Sequence, residues 1–216
     1  ISALEKVLEV TPWRGDLWQR AGRLYLDLKQ WERAIGAFEK AGSIGQLEVQ
    51  GEIWLADATL SSGRVVEARQ QLGSLSTNDP FLLMQIATLQ RKSGDPGGAI
   101  ATLTRAVELD AQNVEVNYQL GIELLPEKPE EAEQYLKQAV QDDQRGIAAK
   151  YLVEIIETYA SNKASAEWYI YAGQALSVVD EWDIAVNSFR LATEAGPTNA
   201  EAWGLLGEAQ QQVGGD

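Results

Sequence analysis

Apolar residues recur along the chain at the i, i+3, i+4, i+7 spacing of a helix face, with small residues at fixed places among them. Four segments share one order: Trp18-x-x-Ala21-Gly22-x-x-Tyr25 then Ala34-x3-Phe38-x-x-Ala41; Leu83-x-x-Ile86-Ala87 then Ala99-x3-Leu103-x-x-Ala106; Leu120-Gly121-x-x-Leu124 then Ala132-x3-Leu136-x-x-Ala139; and Tyr169-x-x-Ala172-Gly173-x-x-Leu176 then Ala185-x3-Phe189-x-x-Ala192. A looser copy has Leu55-Ala56-x-x-Thr59, Gly63 and Ala68-x3-Leu72, and half copies stand at Leu4-x-x-Val7-x4-Pro12 and Trp203-x-x-Leu206-Gly207. Each copy reads as two helices, A and B, with small residues where they cross and large ones a turn to either side. Gly63-Arg64, Gly94-Asp95-Pro96 and Pro126 to Pro129 fall between A and B helices; Thr11-Pro12 and Gly196 to Asn199 fall between copies. Pro96 and Pro129 suit a first helical turn, and Asn113 and Asn199 suit N-caps. No segment alternates as a strand does.

This repeat resembles the tetratricopeptide repeat, a helix-turn-helix unit, over nearly the whole chain. The resemblance implies an all-α, right-handed superhelical solenoid of antiparallel helix pairs, about 13 helices in all. No unit buries its apolar face alone, so neighbours must stack.

Residues 145–165 depart from the pattern. Ile147, Tyr151, Leu152, Ile155, Ile156 and Tyr159 predict an amphipathic helix near 146–160, yet the following helix again carries the A-type order. One helix is therefore unpaired. The expected organisation is a solenoid over 1–144 (a half repeat at 1–12, then four repeats), an irregular helix over 145–165, and a repeat plus a final A helix over 166–216. Ile1 falls inside a B helix and Gly214-Gly215-Asp216 at a further A–B turn, which suggests a segment of a longer polypeptide.

Composition removes most chemistry. The 216 residues include no Cys and no His, which excludes catalytic triads, thiol nucleophiles, disulfides and imidazole or thiolate metal sites. With 18 basic and 32 acidic side chains the net charge is −14, a balance that disfavours nucleic acid. Residues 1–72 hold 9 basic and 10 acidic groups, against 5 and 12 in 73–144 and 4 and 10 in 145–216. No stretch is apolar enough to span a membrane, and nothing distinguishes a cytoplasmic from an extracytoplasmic setting. Glu130-Glu131, Asp142-Asp143 and Asp180 with Asp183 are paired acids at helix ends, where acids complement a helix start. They have neither calcium-loop nor phosphate-loop spacing, so no cofactor, metal or catalytic residue is expected.

In the family resembled, ligands lie along the A helices at five repeat positions. Carried over, these are Asp16, Gln19, Arg23, Leu26 and Asp27; Gln50, Ile53, Asp57, Leu60 and Ser61; Phe81, Met84, Thr88, Arg91 and Lys92; Glu115, Tyr118, Ile122 and Leu125; and Glu167, Ile170, Gln174, Ser177 and Val178. Gln19 and Arg23 stand where chaperone-binding relatives carry Lys and Asn, so their two-carboxylate clamp is absent. The expected groove comprises Arg23, Phe81, Met84, Arg91, Tyr118, Ile122, Ile170 and Gln174, centred on the apolar run. The resemblance implies a non-catalytic scaffold with a protein or peptide partner. The alternatives are an accessory domain of a membrane-anchored or envelope assembly, and carbohydrate stacking on Trp13, Trp54 or Trp168, which fall off the core positions.

Overall fold

The computed structural model describes residues 2–214; Ile1, Gly215 and Asp216, expected in a B helix and a turn, lie outside the described residues. Thirteen α-helices and one 3-10 turn follow one another among the described residues, with no strand. The chain divides into two compact units, Ile1–Thr102 and Leu103–Asp216. The first has 11 basic and 12 acidic side chains and the second 7 and 20. No described helix is long and apolar enough to cross a membrane.

The first unit holds α1 (Ser2–Val10), α2 (Gly15–Asp27), α3 (Trp31–Ser43), α4 (Val49–Ser61), α5 (Val65–Ser74), α6 (Pro80–Lys92) and the start of α7 (Pro96–Leu109). Helices α2, α4 and α6 are the A helices, and they lie side by side and parallel. Gln19 of α2 accepts from the backbone N–H of Glu48 at the start of α4 (3.3 Å), and Gln50 of α4 pairs with Gln85 of α6 (2.9 Å). Glycine makes the A–B crossing close. A β-carbon on Gly22 would stand 2.6 Å from the Phe38 ring. The fully buried alanines Ala34, Ala56 and Ala68 serve the other crowded positions.

One turn recurs between A and B helices. Lys29, Gly63, Gly94 and Asp180 all have positive φ, 57°, 87°, 79° and 65°. In each case the next amide donates to the carbonyl five residues back: Gln30 to Tyr25, Arg64 to Thr59, Asp95 to Gln90 and Glu181 to Leu176, at 2.9–3.1 Å. That left-handed step closes the orphaned carbonyls of the A helix. Glycine adopts it freely, whereas Lys29 and Asp180 adopt it with a β-carbon in place. The α-helix starts also follow the sequence. Pro96 and Pro129 open their helices, and the Asn113 and Asn199 side chains accept from Val116 and Ala202 amides, each at 3.1 Å.

The second unit continues with the end of α7, then α8 (Val114–Leu124), α9 (Pro129–Ala139), α10 (Gly146–Tyr159), the 3-10 turn Ala160–Asn162, α11 (Ala166–Val178), α12 (Trp182–Ala195) and α13 (Ala200–Gly214). Gly214 thus ends a helix instead of standing in a turn. The close crossings repeat: a β-carbon on Gly121 would meet Leu136 at 2.7 Å and one on Gly173 would meet Phe189 at 2.5 Å. Gly207 occupies the same repeat position, yet nothing described lies within 4 Å of its missing β-carbon. The expected boundaries at 144/145 and 165/166 both fall inside this unit. There α10 packs against α9 on one side and α11 on the other, and the Tyr159 and Tyr171 rings stack at 4.4 Å.

Candidate functional site

In the first unit the three A helices enclose a hollow of about 200 Å³ lined by Arg23, Ile53, Trp54, Asp57, Gln85, Thr88 and Leu89. Its floor is apolar, with Ile53 and Leu89 buried. The Arg23 guanidinium sits 5.1 Å above the Trp54 ring while pairing with Asp27 at 3.1 Å. Asp57 is half-buried. Burial pushes its carboxyl above the usual range, and the nearby charges of Lys92 and Arg23 and a hydrogen bond from Ser61 pull the other way without cancelling it. Such a carboxylate is short of solvation and open to a donor. Thr88 donates to the Met84 carbonyl (3.0 Å), which leaves its oxygen able to accept. Phe81, 61% exposed, and half-buried Met84 continue the same stripe of α6 at helical spacing. Arg91 lies half-buried near the end of that helix.

The second unit presents the same repeat positions differently. Tyr118 and Ile122, the counterparts of Gln19 and Arg23, have no exposed surface, and Leu125 has none either. They are core residues, which corrects their place at the centre of the expected groove. Arg145, at the start of α10, lies over Tyr118. Its Nε and Nη2 donate to the two Glu115 oxygens, both at 2.8 Å, and its plane lies 4.7 Å from the Tyr118 ring centroid. Its Nη1 is 3.9 Å from Glu181, between α11 and α12. Burial raises the Glu115 carboxyl, but hydrogen bonds from Arg145 and Gln119 and the Arg145 charge outweigh that and hold it below the usual range. The Tyr118 phenol is pushed up to about 12, by burial first and then by Glu181. Its buried hydroxyl makes no hydrogen bond to a described residue.

Ile170 is buried against Ala192 and Ala202 and offers no surface. Gln174 borders a separate hollow of about 190 Å³ with Ser177, Val178, Trp182, Phe189, Leu205 and Glu208. Of the three tryptophans singled out for stacking, Trp168 is buried and its indole N–H donates to the Pro126 carbonyl at 2.7 Å. Trp13 is exposed and Trp54 lines the first hollow. No cluster of carboxylates suited to a metal occurs among the described residues. Repeat positions mark Ile53, Asp57 and Thr88 in the sequence, but the choice of an apolar centre passes them over. Arg145 has no such marker; its one signal is a lone cation after Asp142 and Asp143, beside a broken repeat.

Residues 82–113, spanning α6, α7 and the following turn, match the family model of the tetratricopeptide repeat. Over these residues the chain is similar to the tetratricopeptide repeat. Solved structures agree. YrrB, described as a TPR protein with an unusual peptide-binding site, is 18% identical over 93% of this chain and 96% of its own, with a TM-score of 0.53. Yeast Tom70 aligns at 15% identity over 96% of this chain and 41% of its own, TM-score 0.51. The Cut9–Hcn1 hetero-tetramer of the APC/C aligns at 18% over 95% and 38%, TM-score 0.51. No curated protein matches the sequence. All three likenesses place the chain in the all-α helical-repeat solenoid class.

Proposed function

We propose that the chain is a non-catalytic scaffold that binds a segment of another protein on the A-helix face of its first unit. The observation that carries this reading is the hollow across α2, α4 and α6. It sets a donor (Arg23), an under-solvated acceptor (Asp57) and an amide (Gln85) around an apolar floor. That combination anchors one apolar side chain while polar groups fix the backbone beside it. Phe81 and Met84 extend the contact surface along α6, and adaptable Met and aromatic side chains suit partner surfaces. The peptide-binding site described for YrrB lends support from a similar fold.

A random-peptide display library panned against the full chain tests the proposal. Recovered peptides are expected to lose about tenfold or more in affinity, roughly 1.4 kcal/mol, when Arg23→Glu and Thr88→Glu are combined, with an unchanged melting temperature. A library that yields no binder, or binders indifferent to both substitutions, overturns it.

A further inference from the structure

We propose that Arg145 is a latch that holds the A-helix face of α8 shut, so that the second unit has a closed form, with Tyr118 and Ile122 covered, and an openable one. Two side-chain ties, one at each end, join α8 to α11 so that the two helices run antiparallel. At one end the Trp168 indole donates to Pro126, just past the C-terminus of α8, at 2.7 Å. At the other, Arg145 joins Glu115 in the first turn of α8 to Glu181 just past α11, at 2.8 and 3.9 Å. Between the ties Tyr118 and Ile122 are fully covered, although in the first unit Gln19, the counterpart of Tyr118, is half-buried and Arg23, that of Ile122, is exposed.

Closure has a built-in tension. It leaves the Tyr118 hydroxyl buried without a hydrogen-bond partner among the described residues, a group that opening would hand to water. Arg145 offsets this by satisfying Glu115 with two parallel bonds and by lying over the same ring. Its own position is fixed by Asp142, whose side chain accepts from the Gln144 and Arg145 amides at 2.9 and 2.7 Å. The latch therefore sits on the start of α10, the helix that interrupts the repeat. Opening would present Tyr118 and Ile122 at repeat positions equivalent to those that border the first unit's hollow. This inference stands on the geometry of the second unit and does not depend on what the first unit binds.

Amide hydrogen exchange of the full chain tests it, read peptide by peptide. Arg145→Gln is expected to speed exchange about tenfold or more in residues 114–125 and 166–178, and to leave 185–195 unchanged. The double swap Glu115→Arg with Arg145→Glu restores protection. Arg190→Gln, which removes an exposed ion pair with Glu194 in the same unit, has no effect on 114–125. Three results overturn the latch: unchanged exchange in 114–125 for Arg145→Gln, acceleration spread evenly through 185–195, or a double swap as unprotected as the single variant.

Discussion

The A helices of the two units carry the same repeat and expose different things. In the first, Arg23 is 46% exposed along its side chain and borders an open hollow. In the second, Ile122 at the same repeat position has no exposed surface. The difference begins with the side chains themselves, Arg against Ile, on otherwise similar helices. Both α2 and α8 keep a glycine against a large B-helix side chain. The elements that come next in the chain differ as well: α2 and α3 lead into a regular neighbour, whereas α8 and α9 lead into α10 and then a second A-type helix. A repeat position thus defines a direction in space, but not by itself whether that direction is surface or core.

The largest contrast is expected from one substitution made at both places. Ile122→Glu buries an unpaired charge and is expected to cost about 3–5 kcal/mol. Arg23→Glu is expected to cost about 1 kcal/mol or less, since its ring contact and ion pair are surface interactions. Urea unfolding reads both, and equal costs would dissolve the distinction. Glycines give the next effect. Gly22→Ala and Gly173→Ala push a β-carbon into Phe38 and Phe189 and should each cost about 1–3 kcal/mol. Gly207→Ala should be neutral or stabilising by about 0.5–1 kcal/mol.

The two half-buried acids give opposite pH signatures. The Glu115 carboxyl is held below its ordinary value of 4.5, so its contribution is present above that pH and is lost as pH falls through the lower folded value. The Asp57 carboxyl is raised above its ordinary value of 3.8; its folded state binds the proton more tightly and loses stability as pH rises through the raised value. Urea midpoints followed from pH 3 to 7 should therefore rise at neutral pH for Asp57→Asn and fall for Glu115→Gln. Matching signs would contradict these two environments. The smallest effect belongs to Arg190→Gln, expected to cost about 0.3–0.5 kcal/mol or nothing.

Local features are legible in the sequence because their causes are local. The apolar spacing, the turns at Gly63, Gly94 and Pro126 to Pro129, and the caps Asn113 and Asn199 each depend on neighbours within a few residues. A helix near 146–160 is also legible, and α10 stands there with α9 and α11 against it. Its consequence is not. Arg145, which lies over Tyr118, stands 27 residues further along and carries no spacing that betrays the contact. Asp57 is hidden for a related reason: its value lies in partial burial between helices, which composition cannot express.

The uneven distribution of charge has a consequence in ionic strength. Within the second unit 20 acidic side chains face only 7 basic ones, so the folded unit repels itself, whereas the first unit is close to balance. Salt shortens the reach of exposed charges from about 30 Å at 0.01 M to about 8 Å at 0.15 M. Adding salt should relieve the crowded acids of the second unit and leave the first almost unmoved. The resistance to unfolding of residues 103–216 is thereby expected to follow the surrounding electrolyte, and that of residues 1–102 is not.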